Sequence, residues 1–156
     1  MPKPRPDALD RPWVPKLIRW MSQANVWAYR KSGGRIAGTF LGGAPVGLLT
    51  TTGKQSGKPR VAPLLFLRDG DRVVLVASQG GQRNNPLWFG NLTAKPDVSF
   101  QIGTKRSEYR ARTANDAERA VLWPRLTKMY PGYDDYQSWT DRVIPIVILE
   151  PLGREG

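Results

Sequence analysis

VAPLLFLRDGDRVVLVA, residues 61–77, is two apolar runs around an Asp-Gly turn. Val61–Leu67 and Arg72–Ala77 predict strands, and Asp69-Gly70 between them is a strong local signal for a hairpin. The pattern extends outward in both directions. Upstream, Val46–Thr52 predicts a strand. Downstream, Val98–Ile102 and Ser107–Thr113 flank Gly103 as a second hairpin, and Ile144–Leu149 reads as a last, wholly apolar strand. Helical signals lie between them. Asn85-Pro86 opens a short helix over Leu87–Leu92, with Asn85 as its cap. Asn115 and Glu118 have the spacing of a capping box, starting a helix that reaches Met129 with a bend expected at Pro124. About six antiparallel strands joined mainly by hairpins, with flanking helices, predict a barrel of the α+β or mainly β class over residues 34–152.

A chain of 156 residues suits one domain with a real core. Its formal charge of +11 is unevenly placed. Before Val61 there are 11 basic residues against only Asp7 and Asp10, so nine of the eleven net charges lie there. Such asymmetry implies an anionic partner: nucleic acid, a lipid surface or an acidic cofactor. The sequence has no histidine and no cysteine. Disulfides, thiolate nucleophiles, imidazole bases and His or Cys metal sites are therefore excluded, and no metal is expected. An enzyme here would use Ser, Tyr, Lys or carboxylates, or borrow its chemistry from a cofactor. No secretory signal and no apolar run near the ~20 residues of a membrane span is visible, which predicts a cytoplasmic protein.

Residues 1–12 carry four prolines and alternating charges and read as a flexible basic arm. An amphipathic helix follows over 13–31, capped by Asp10. Trp13, Leu17, Trp20, Ala24 and Trp27 form one stripe, interleaved with Lys16, Arg19, Arg30 and Lys31. Tryptophans with nearby bases suit an anionic membrane surface, and the same stripe suits packing on a core.

Three segments could carry chemistry. LLTTTGKQSGKPR, residues 48–60, joins two glycines to Lys54, Lys58 and Arg60. Glycine lets main-chain amides approach an anion, and arginine grips phosphate or carboxylate with two bonds. The loop lacks the spacing of a Walker motif. It reads either as a seat for a polyanionic small molecule or as a solvated basic loop. Ala77-Ser78-Gln79-Gly80-Gly81 follows a strand and could admit a flat ligand against bare backbone. Tyr130, Tyr133 and Tyr136, spaced by three, share one face of a turn and short helix. They suit a planar acceptor with carbonyl or nitro oxygens, or else an aromatic plug over the barrel. No signature of a nucleic-acid-binding barrel appears, so nucleic acid is not expected as a partner.

Together these segments resemble a known family. TTTG-x-x-[TS]-G-x-PR, the VASxGG turn, NPxWFxNL and MYPxYxxYQSWTDRxIPIVxxEP are similar to the deazaflavin (coenzyme F420)-dependent nitroreductases. The likeness is strongest to the branch of F420H2-dependent quinone reductases that activate bicyclic nitroimidazoles. It spans nearly the whole chain. It implies a split β-barrel like that of flavin-binding reductases, with F420 in a groove across it.

The resemblance also implies roles. Lys54, Gln55, Ser56, Gly57, Lys58, Pro59 and Arg60 match the loop for the cofactor's phosphate and glutamate tail. Ala77, Ser78, Gln79, Gly80 and Asn91 match positions around the deazaflavin ring. Ser78, Tyr130, Tyr133 and Tyr136 match the side of a quinone or nitroaromatic acceptor. Gln55 and Gln79 stand where relatives often have lysine. The implied protein is a monomer that rests on the cytoplasmic membrane through its first helix.

Overall fold

A computed structural model describes residues 3–7, 14–39 and 43–152, with side chains of the first helix described from Gln23 onward. Helix α1 spans Val14–Ser32. Strands β1 (Val46–Thr52), β2 (Pro59–Leu65), β3 (Leu67–Asp69) and β4 (Arg72–Val76) follow. A 3-10 turn at Gln79–Gly81 leads to helix α2 (Leu87–Ala94). Then come β5 (Asp97–Ile102), β6 (Lys105–Thr113), α3 (Asp116–Met129), α4 (Gly132–Ser138) and β7 (Ile146–Pro151).

The strands form one antiparallel sheet of seven, in the order β2-β1-β5-β6-β7-β4-β3. Strands β2 and β3 stand at opposite edges of that order, yet only Phe66 separates them in the chain. The sheet must therefore curl until its edges meet at Phe66, which makes a split barrel. The run expected as one strand over Val61–Leu67 is broken here. Leu65 pairs with Val46 of β1, while Leu67 pairs with Val74 of β4. Phe66 turns the chain between them, buries its ring, and meets Phe100 edge-on at 5.3 Å. That break is why there are seven strands rather than about six.

Strand β4 has no polar alternation because both its faces are covered. Val73 and Leu75 point into the barrel with Leu49, Phe100 and Leu149. Val74 and Val76 point outward, under α3 and α4, with Leu122, Leu126, Tyr133 and Ile148. Helix α2 closes the inner core with Trp88 and Leu92. It begins on Pro86, with no side-chain cap. The cap expected from Asn85 does not form, because Asn85 accepts a hydrogen bond from Arg142 instead. The capping box of Asn115 and Glu118 does form, and α3 runs through Pro124 to Met129.

Helix α1 lies against the sheet through Val26 and the fully buried Tyr29, not through the described part of the tryptophan stripe. The Tyr29 hydroxyl accepts the Gly103 N–H at 2.7 Å. Ala24 and Trp27 are exposed, Trp27 by 65%. Trp13 and Asp10 lie outside the described residues, as do the side chains of Leu17 and Trp20. Of the arm expected over 1–12, Lys3 is held at both main-chain groups. Its N–H donates to Asp135 at 2.8 Å, and its carbonyl accepts the Trp139 indole N–H.

Candidate functional site

Strand β1 ends in the basic loop and β4 ends in the Ser78 turn. These strands are not neighbours; β5, β6 and β7 stand between them in the sheet. Each successive pairing is antiparallel, so β1 and β4 run the same way and both loops leave the same end of the barrel. Helix α2 joins them. The chain from the Ser78 turn runs directly into α2, and Asn91 of α2 holds the basic loop. Its side-chain oxygen accepts the Lys54 N–H at 3.1 Å, and its amide donates to the Thr51 hydroxyl at 3.2 Å. Asn91 is buried and largely committed to that task.

The basic loop has its own frame. Gly53 donates to the Lys58 carbonyl and Gly57 to the Gly53 carbonyl, each at 2.8 Å, while Ser56 Oγ accepts the Lys58 N–H. Pro59 enters β2 opposite Thr52. Residues Lys54 to Arg60, Gln55 included, are exposed. Among the described residues no carboxylate pairs with Lys54, Lys58 or Arg60. The Lys54 amine lies over Gly90, 3.6 Å from where a Cβ would stand. At Gly57, with φ of +70°, a Cβ would meet open space.

The second loop is tightly wound. Gln79, Gly80 and Gly81 all have positive φ, at 45°, 61° and 76°. Glutamine pays a steric penalty there that glycine does not. Strain of this kind concentrates at functional sites. The two glycines differ in purpose. A Cβ on Gly81 would stand 2.8 Å from the Tyr136 carbonyl, so Gly81 lets α4 press against the turn; a Cβ on Gly80 would meet nothing. Ala77 is fully buried, and its side chain belongs to the inner core. Only its main chain borders the loop, and its N–H is taken by the Pro145 carbonyl.

Helix α4 brings the tyrosines to the turn. Their rings pack at 5.0–6.4 Å between centroids, and the Tyr130 and Tyr136 hydroxyls share a hydrogen bond of 2.9 Å. Burial pushes the Tyr133 hydroxyl well above the usual phenol range, with Tyr130 and Tyr136 adding to the effect. Burial does the same to Tyr136, helped by its bond to Tyr130. Both are thus protonated donors at neutral pH. Ser78 and Tyr133 are buried as residues, and neither hydroxyl has a hydrogen-bond partner among the described residues, but neither oxygen is fully enclosed. Both hydroxyls are therefore open to a further hydrogen-bond partner.

One residue escaped the sequence reading. Arg142 spreads its guanidinium under the Ser78 turn, donating to the Ala77, Ser78 and Gln82 carbonyls and to Asn85. Its only sequence signal was its place after the tyrosine segment, because the carbonyls it meets lie some sixty positions away.

The chain is similar to known proteins over most of its length. The sequence profile of the F420H(2)-dependent quinone reductase family matches residues 20–151. A Mycobacterium tuberculosis protein named provisionally as an F420H(2)-dependent quinone reductase is 45% identical over 117 residues, covering 75% of this chain and 98% of that one. A solved F420-H2 dependent reductase (FDR-A) superposes with a TM-score of 0.64 at 41% identity, covering 68% of this chain and 94% of its own. A structure described as a domain-swapped dimer superposes at 0.67 with 34% identity, covering 86% and 98%.

Proposed function

The chain belongs to the F420H(2)-dependent quinone reductase family, and from that premise we propose that it reduces quinones with a hydride taken from F420H2. Quinone, hydride and one proton give the hydroquinone, and F420H2 becomes F420. Nitroaromatic compounds, nitroimidazoles among them, are proposed as further acceptors because a nitro group offers similar oxygens to the same hydroxyls.

The residues present fit such a cofactor. A polyanion needs exposed bases without carboxylate partners, and Lys54, Lys58 and Arg60 answer that description. A flat ring needs bare backbone, and Gly80 has open space where its Cβ would stand. When bound, F420H2 would supply the hydride. The protein's own part is binding and orientation. Lys54 and Arg60 hold anionic groups, with Gln55, Ser56 and Lys58 beside them. Gln79 and Gly80 present main chain to the ring. Ser78 and Tyr133 direct O–H groups at the acceptor oxygen, where negative charge develops. Tyr133, protonated and buried, is the candidate proton donor.

The observation that carries this reading is that Ser78 and Tyr133, largely buried side chains, keep hydroxyls with no partner among the described residues. The test is direct. The protein should retain F420 in preference to FMN through desalting and should oxidise F420H2 when menadione is added. Tyr133→Phe should lower kcat/KM by about 1–3 kcal/mol in barrier terms, roughly 5- to 150-fold, with F420 affinity nearly unchanged. Unaltered turnover would leave the tyrosines as an aromatic plug. Both halves of the site come from one chain, so a monomer would suffice. Light scattering decides between that and a swapped dimer.

A further inference from the structure

Resting on that reading, we infer that Arg142 is the positioning residue that keeps the Ser78 turn in register with the tyrosine helix. All three guanidinium nitrogens point into the loop between β4 and α2. Nε donates to the Gln82 carbonyl at 2.9 Å and Nη2 to the Ser78 carbonyl at 2.7 Å. Nη1 donates to the Ala77 carbonyl at 3.1 Å and to Asn85 Oδ1 at 2.8 Å. Strand β4 has ended at Val76, so these carbonyls have left the ladder; the Ser78 carbonyl also accepts the Gly81 N–H within the turn, and the guanidinium serves all three. A planar fork of five N–H groups can serve four acceptors at once; a lysine ammonium has three N–H groups and no fork.

The main chain of Arg142 faces the other half of the site. Its carbonyl accepts the Gln137 side-chain amide at 2.8 Å. Gln137 sits on α4, next to Tyr136. Its oxygen accepts the Ile144 N–H at 2.9 Å and an N–H of Arg119 from α3. One residue thus ties the Ser78 turn by its side chain and the tyrosine helix by its backbone. Among the described residues no carboxylate pairs with the Arg142 guanidinium. Its charge is spent on carbonyl dipoles of the loop, and the three positive φ values of that loop are held from beneath.

The experiment uses the full chain with Arg142→Met, Arg142→Lys and Asn85→Ala. Two readouts are taken. Without cofactor, hydrogen exchange is followed on a peptide covering residues 77–85, where the Gly81 and Gln82 amides are bonded to the Ser78 and Gln79 carbonyls. With F420, its dissociation constant is measured beside kcat and KM for menadione. Arg142→Met should speed exchange of that peptide at least tenfold and lower kcat about thirtyfold, with F420 affinity changed less than threefold. Arg142→Lys should recover only part of the loss, since charge without the fork does not hold four acceptors. Asn85→Ala, which removes one acceptor, should move both readouts the same way by a few-fold, and it decides the matter if the Arg142 variants do not fold. Unchanged exchange in folded Arg142→Met protein, or full recovery by lysine, overturns the proposal. F420 affinity falling in step with kcat also overturns it and makes Arg142 part of the cofactor site. Wild-type protein that binds no F420 refutes the proposed reaction. The exchange result then stands alone on whether Arg142 orders the turn.

Discussion

The two ends of β4 treat charge in opposite ways. At its start, Arg72, Arg112 and Arg125 meet Asp69, Glu118 and Glu150 in one network. Arg112 grips Glu118 with two bonds of 2.7 Å and reaches Glu150 at 2.9 Å. At the other end, where β4 gives way to the Ser78 turn, the bases of the 54–60 loop, which leaves the same end of the barrel, have no such partners among the described residues. Paired charges fasten β6, β7 and α3 together. The hydroxyls follow the same division: those of Thr51 and Tyr29 have partners, and those of Ser78 and Tyr133 have none among the described residues.

The sharpest way to break this contrast is at Gly81. Any Cβ there meets the Tyr136 backbone at 2.8 Å with φ at +76°. Left-handed strain of ~1–2 kcal/mol and overpacking of ~1–3 kcal/mol predict that Gly81→Ala loses roughly 2–5 kcal/mol in urea unfolding. Gly80→Ala has open space and should lose only about 1–2 kcal/mol. Equal losses would mean that the turn is not wedged against α4. Next in size is the pair Lys54→Ala and Arg60→Ala. Each should weaken F420 by about 1.5 kcal/mol, near the low end for charged hydrogen bonds because both side chains face solvent, and stability should hold. The loss should shrink for a cofactor without its glutamate tail. A loss independent of tail length would place these bases on the phosphate alone.

A smaller effect is expected at α1. Trp27 is exposed beside Arg30 and Lys31, on a helix whose packing side is Val26 and Tyr29. Near an anionic surface each base adds about 1 kcal/mol. Arg30→Gln with Lys31→Gln should therefore reduce co-sedimentation with phosphatidylserine vesicles severalfold and leave neutral vesicles unaffected. Binding that ignores both charges would remove the membrane role from this helix.

Much of the barrel could be read from local pattern. Strand β4 and the hairpins at Gly70 and Gly103 have turn chemistry and apolar runs within a dozen residues of each other. The break at Phe66 could not be read, because it depends on which distant strand each neighbour joins. Asn85 misled for a related reason: beside Pro86 it has the composition of a cap, yet a guanidinium from position 142 took its oxygen. In α1 the tryptophan stripe drew attention from Tyr29, whose single hydroxyl reaches a hairpin more than seventy positions on. Basic loop, glycine turn and tyrosines were each legible as segments. That α2 joins the first two and Arg142 the last two lies in long-range hydrogen bonds, which leave no periodicity.

The smallest expected effect belongs to the paired end of β4. The bidentate bond from Arg112, with the Asn115 N–H behind it, lowers the Glu118 carboxyl from its usual 4.5 to about 2. The folded chain therefore keeps Glu118 ionised at a pH where the unfolded chain has taken up a proton. Stability from this pair is complete above about pH 4.5 and declines as pH falls toward 2, where both states are protonated. Asp69, lowered chiefly by Arg125 and then by Arg72, adds to the same acid limb. Glu118→Gln isolates the charge, since glutamine at this position still closes the capping box with Asn115. The variant should be slightly less stable at neutral pH, approach the wild type near pH 2, and show a shallower decline between. Added salt should narrow the neutral-pH gap, because these side chains are partly exposed and screened. Urea midpoints at several pH values test it. Parallel acid limbs would show that the cap, and not the Arg112 pair, is what Glu118 contributes, and the contrast between the two ends of β4 would lose its electrostatic half.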